Sequence, residues 1–138
     1  MAKNPEMVQR ILTPDRDFVR GKGLKDYLLR ADKAELNEQD NSGNTLLHIV
    51  TKFFKRLVDE SRLPELFVLD KAVLLISDHV DGRIRNKDGE LAVLYVVQTE
   101  MAYPIGREFR YLVKNINTQM HVFNNILFSP SISEIPFS

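Results

Sequence analysis

Two polar segments that resemble one another, 46 positions apart, constrain this chain more than any other feature of its sequence. Gln39-Asp40-Asn41-Ser42-Gly43-Asn44 and Arg85-Asn86-Lys87-Asp88-Gly89-Glu90 each place a turn-forming Asn/Asp cluster before a glycine, a polar residue and an apolar stretch. Self-similarity at a fixed spacing marks architectures built from repeated units, none of which can bury its apolar face alone. Gly43 suits a backbone that needs positive φ or a close approach at a tight turn, where a β-carbon would be costly. Thr45 can hydrogen-bond locally at a helix start, and His48 can bond across to loop backbone and so tie successive loops together.

Around these segments the apolar spacing predicts helices. From Gly23 to Glu35, Leu24, Tyr27, Leu28, Ala31 and Ala34 form one stripe at intervals of three and four. Thr45 to Val58 repeats the pattern with Leu46, Leu47, Ile49, Val50, Phe53, Phe54 and Leu57. Pro64 opens a further helix, since its missing N–H is no loss in a first turn. That helix is apolar on several sides, at Leu66, Phe67, Leu69, Ala72, Val73, Leu74, Leu75 and Ile76, and is expected to be buried between neighbours. Leu91–Val97 and Ile105–Ile116 supply two more, separated near Pro104 and Gly106; by composition the Leu91–Val97 run also suits a buried strand. The predicted fold class is all-α.

Aligned on Gly43 and Gly89, the two copies resemble the ankyrin repeat. The first keeps the family's residues at Asp40, Gly43, Thr45, Leu47 and His48, and has Leu46 where proline is usual. The second keeps Gly89 but carries Leu91 and Leu94 in place of Thr and His, so it is a degenerate copy. The resemblance covers roughly residues 24–116 and implies an ankyrin-like solenoid of about three units. Its expected divisions are a capping unit at 1–36, an enlarged repeat at 37–83, a degenerate repeat at 84–116 and an apolar C-terminal cap or tail at 117–138. An ankyrin unit repeats near ~33 residues, so about 13 are in excess here. The excess is placed around Phe54 to Leu66, as a lengthened first helix and a loop standing out of the stack.

Charge and composition exclude several classes of function. The 138 residues carry 19 basic and 19 acidic side chains and no cysteine, so disulfides, thiolate metal sites and thiol nucleophiles are ruled out. A formal net charge of zero gives no broad field for nucleic acid or anionic lipid. No run approaches the roughly 18 apolar residues of a membrane span, and the polar start lacks the apolar core of a secretory signal. An intracellular, cytoplasmic protein is expected, with the nucleus also open to it. From Asn117 to Ser138 the only charged side chain is Glu134, among Phe123, Phe128 and Phe137. That segment reads as a cover for the core, or as a tail that binds a partner or joins the chain to a larger assembly.

Candidate chemistry is sparse. His79 and His121 lack partners at zinc-helix spacing, and an EF-hand register on Gly89 puts Ile84 where a carboxylate is required. Gly21-Lys22-Gly23 lacks P-loop spacing and reads as a turn. The mixed charges of the N-terminal third suit a solvated face rather than nucleic acid. No metal, cofactor or catalytic group is assigned. What the ankyrin resemblance implies is a non-enzymatic module, an adaptor or inhibitor, that holds a protein partner against loop tips and the exposed face of each first helix. Such a protein is at home among cellular regulators and among pathogen proteins that act in host cells. The implied binding residues are Gln39, Asn41, Ser42, Asn44, Lys52 and Phe53 on the first copy, and Arg85, Lys87, Asp88, Glu90, Gln98 and Thr99 on the second. Phe53, beside Phe54, is either an exposed hot spot or part of the core. The alternative from another class is a small helical enzyme with its site around His48.

Overall fold

The computed structural model of the chain describes residues 5–13, 15–101 and 107–124, with side-chain surroundings for 8–13, 15–62, 64–99 and 113–121. These residues form helices α1 (Pro5–Leu12), α2 (Arg16–Arg20), α3 (Gly23–Arg30), α4 (Lys33–Leu36), α5 (Leu46–Asp59), α6 (Leu63–Ser77), α7 (Val93–Met101) and α8 (Arg107–Asn124). The fold is all-α; the only β pairing among the described residues is an isolated antiparallel bridge between Arg85 and Leu91.

Side-chain caps set several of the boundaries. Asp15 accepts from the Phe18 amide at 3.1 Å and starts α2. Asp32 accepts from the Glu35 amide at 2.8 Å and starts α4. This second cap corrects the single helix expected from Gly23 to Glu35. Ala31 turns extended (φ −70°, ψ 142°) to end α3, and the apolar stripe continues across two short helices instead of one. Gly21 and Lys22 form the bend between α2 and α3, as expected of that glycine pair.

The stretch around Phe54 to Leu66, expected as a lengthened first helix and a loop standing out of the stack, is helix on both sides of a short connection. α5 runs for 14 residues and α6 for 15, and only Glu60, Ser61 and Arg62 connect them, with Ser61 at φ 56°. The polar residues that suggested a loop pair off along the helix surface instead. Lys55 meets Asp59 at 2.8 Å, Arg56 meets Glu60 at 3.0 Å, and Arg62 meets Glu65 at 2.8 Å. Leu91–Val97 resolves into the bridge at Leu91 and a helix from Val93. α8 continues past Ile116 to Asn124, so the segment expected to be a tail from Asn117 begins as helix. Pro104, Gly106 and residues 125–138 lie outside the described residues.

α5 is the centre of the packing, lying against α6 on one side and α7 on another, while α8 covers both α6 and α7. α1 also reaches α5, and α2 and α3 pack on α6. The core these helices enclose includes Leu47, Val50, Phe54 and Leu57 of α5, Leu66, Leu69, Val73 and Ile76 of α6, and Val96, Val113, Ile116 and Met120 beyond. Each such side chain contributes about 1.5–3 kcal/mol on burial. Phe54 is fully buried, whereas Phe53 is half-buried and packs against the core edge. α6 is less enclosed than its composition suggests: Phe67 is 46% exposed. Among the described residues, no helix is long and apolar enough to cross a membrane.

Candidate functional site

The two repeated segments fold into the same turn. In the first, the Asp40 amide donates to the Asn44 carbonyl at 2.9 Å and the Gly43 amide to the Asp40 carbonyl at 2.8 Å. In the second, Asn86 donates to Glu90 at 3.0 Å and Gly89 to Asn86 at 2.9 Å. Oδ1 of Asp40 accepts from the amides of Ser42 and Asn44, both at 2.9 Å. Oδ1 of Asn86 accepts from Asp88 at 3.0 Å and Glu90 at 2.9 Å. A short polar side chain followed by glycine is what this turn requires, because the side chain captures amides two and four residues ahead while glycine takes φ 78° in both copies. Even the preceding residue plays one role twice. The Gln39 amide donates to the Gly43 carbonyl at 2.7 Å, and the Arg85 guanidinium donates to the Gly89 carbonyl.

The turns are docked on one another. Lys87 donates its amide to the Ser42 carbonyl at 3.0 Å, and Gln39 Nε2 donates to the Arg85 carbonyl at 2.9 Å. Asn86 Nδ2 donates to Asn44 Oδ1 at 3.0 Å in a buried contact, and the Asp81 amide donates to Asn37 Oδ1 at 2.7 Å. A β-carbon at Gly43 would sit 2.6 Å from the Lys87 nitrogen, so this glycine is demanded by the neighbouring loop as well as by its φ.

His48 adds the last link and fixes its own tautomer in doing so. The Thr45 amide donates to Nδ1 at 3.0 Å, so Nδ1 offers a lone pair and Nε2 carries the proton. Nε2 then donates to the Glu90 carbonyl at 2.8 Å. Thr45 and His48 together form a capping box at the start of α5, with histidine where Glu or Gln is usual. Burial pushes the imidazole pKa down and the nearby Lys52 ammonium adds to this, partly opposed by the Glu90 carbonyl and the Glu90 and Asp40 carboxylates. The ring is therefore a neutral brace, as its place in the sequence suggests.

Beside it, Tyr95 donates its hydroxyl to the Glu90 carboxylate, and Asn86 Nδ2 lies 3.2 Å from the same oxygen. The Tyr95 bond leads in holding the Glu90 carboxyl below its usual range, while burial and Glu90 push the tyrosine hydroxyl up. The Lys52 ammonium stands 5.3 Å from the Tyr95 ring centroid, linking the exposed face of α5 to α7.

Of the twelve residues expected to bind a partner, Gln39, Asn41, Ser42, Lys52, Lys87, Asp88 and Gln98 are exposed, and Phe53, Arg85 and Glu90 are half-buried. Two do not present a surface. Asn44 is buried because Asn86 covers its amide, and Thr99 is fully buried with its hydroxyl on the Tyr95 carbonyl at 2.7 Å. Tyr95 and Asn86 were not among the expected site residues, although both shape this face; the match of Asn86 to Asp40 in the aligned copies was the available signal. An open groove of about 640 Å³ is lined by Leu28, Leu29, Lys33, Asp78, His79 and Arg83 among others, and it reaches Asn37 and Asp81, the pair that joins the two loops ahead of their turns. Among the described residues no three metal-ligating side chains come together. Compared with known families, curated proteins and solved structures, the chain matches no family model, no curated protein and no solved structure.

Proposed function

We propose that this chain is a non-enzymatic protein-interaction module, a short and divergent ankyrin-like stack that acts as an adaptor or inhibitor by occupying a partner's surface. The observation that carries the reading is the docked pair of equivalent turns. Their internal hydrogen bonds coincide, their mutual bonds make them one rigid surface, and Asn41, Ser42, Lys87 and Asp88 stand exposed along it. A pre-ordered polar surface loses little conformational freedom on binding, which is what an interaction face needs. The residues that resemble the ankyrin pattern, Asp40, Gly43, Thr45 and His48, are the ones that build and join the turns. The balanced charge favours a protein partner over nucleic acid, and an intracellular site of action goes with the same reading.

The enzyme alternative draws no support from His48. Both of its ring nitrogens are occupied by backbone groups, so neither is placed to move a proton to or from a substrate. The test is capture from cell extract with identification of bound proteins, followed by calorimetry with the purified partner. Wild type is compared with an Asn41→Arg/Lys87→Glu variant whose fold is checked by circular dichroism. Loss of at least tenfold in affinity, without unfolding, is expected. Unchanged affinity in the folded variant would remove the loop tips from the binding surface.

A further inference from the structure

The two turns are alike in themselves but not in their surroundings. The face of the first turn at Gly43 is filled by backbone of the second, with Lys87 N and Asn86 Cα and C all within 3.1 Å of where a β-carbon would stand. At Gly89, which is exposed and has the same φ of 78°, a β-carbon would meet none of the described residues within 4 Å. The second turn therefore offers, on its outward face, the position that it occupies itself on the first turn.

From this we propose that the open face at Gly89 is a docking site for a turn segment of a partner protein, one that presents a backbone N–H to the Asp88 carbonyl and an amide or cationic donor to Glu90. The inference rests on the reading of the chain as an interaction module and names the partner's chemistry. The internal contact supplies the template. Ser42 accepts from Lys87, and Asp88 stands at the position equivalent to Ser42. Gln39 donates to the Arg85 carbonyl, and Arg85 stands in its place with more N–H donors than an amide has. Asn44 Oδ1 accepts from the Asn86 amide, and at the equivalent position Glu90 offers a full negative charge. The occupant facing Glu90 must therefore donate. That requirement disfavours a second copy of this chain, because its first turn would bring the Asp40 carboxylate against Glu90, and like charges in direct opposition repel.

The site can be probed with a backbone-cyclised peptide carrying residues 84–91 of this chain, titrated into the full-length ¹⁵N-labelled protein and followed by NMR. Saturable shifts at the amides from Arg85 to Glu90 are expected, with millimolar affinity. Replacing Asn86 by Asp in the peptide should weaken binding roughly fivefold, the order of one exposed charge repulsion. Glu90→Gln in the protein, with its spectrum still dispersed, should abolish that difference. Absence of saturable shifts up to about 5 mM, at concentrations where a site of this affinity would fill, overturns the proposal. So does a dimer of the wild-type chain that Glu90→Gln strengthens, since a second copy would then be the occupant. Shifts confined to Lys52, Gln98 and their neighbours on α5 and α7 also sink it, while leaving the broader interaction reading intact.

Discussion

Substituting alanine for each of the two repeated glycines isolates the docking of the loops from the geometry of the turns. Both residues sit at φ 78°, so Gly43→Ala and Gly89→Ala share one backbone penalty. A left-handed conformation costs an alanine about 1–2 kcal/mol, and the stiffer unfolded chain returns about 0.4–1 of that, leaving roughly 1 kcal/mol. At Gly89 none of the described residues lies within 4 Å of the new methyl, so the penalty ends there. At Gly43 the methyl would be 2.6 Å from Lys87 N and 3.1 Å from Asn86 Cα, and these are backbone atoms that cannot swing aside. The loops must separate, which disrupts the Lys87–Ser42 bond and the buried Asn86–Asn44 bond. At about 1 kcal/mol each this adds roughly 2, for a total near 3 kcal/mol at Gly43. Urea unfolding followed by circular dichroism at 222 nm reads both values, and the expected gap of about 2 kcal/mol is taken from the shift in midpoint at a shared slope rather than from extrapolated stabilities. Equal losses within about 0.5 kcal/mol, or a larger loss at Gly89, would refute the reasoning, because the two turns would then be independent.

Two further outcomes follow from single side chains. His48 has a folded pKa below its unfolded value near ~6.5, because burial disfavours its charged form and its Nδ1 already accepts from Thr45. Its contribution is thus complete above that unfolded value and is lost as pH falls toward the folded one. The denaturation midpoint should therefore drop on acidification below about pH 6.5 and stay level from pH 7 to 8, and His48→Gln should flatten that acid slope. Phe54→Ala empties a fully buried site and should cost about 3–5 kcal/mol, whereas Phe53→Ala, at the half-buried edge, should cost about half as much or less; chemical denaturation of both variants checks the order.

The parts of the fold that local chemistry determines were legible in the sequence. Asp40 and Asn86 followed by Gly43 and Gly89 announce the turn, Thr45 announces the start of α5, and Pro64 announces the first turn of α6, because each acts within a few residues of itself. What was missed depended on neighbours distant in the chain or on a choice between equivalent local signals. Asn44 reads as a loop-tip residue until Asn86, 42 positions away, covers it. Asp32 is one of several acidic residues in its stretch, and nothing local singles it out as the cap that splits the helix expected there. Thr99 follows Gln98 as Phe53 follows Lys52. The register of the exposed face is right at Lys52 and Gln98, but the following position turns toward the core, half-buried at Phe53 and fully buried at Thr99. The charged stretch after Phe54 reads as a lengthened helix running into a projecting loop, yet opposite charges spaced four apart also suit a helix surface throughout, which is what Lys55–Asp59 and Arg56–Glu60 form.

The claim on which the rest depends is that the two turns form one docked surface, and a through-hydrogen-bond NMR coupling between the Lys87 amide nitrogen and the Ser42 carbonyl carbon measures it directly. Lys87 is exposed and sits in a loop, so its amide would exchange freely with water if the second turn were undocked. With the 3.0 Å bond in place, a resolvable coupling and slowed exchange at that single amide are expected. No coupling, together with exchange as fast as in an unstructured loop, would contradict the docked pair and with it the proposed binding surface.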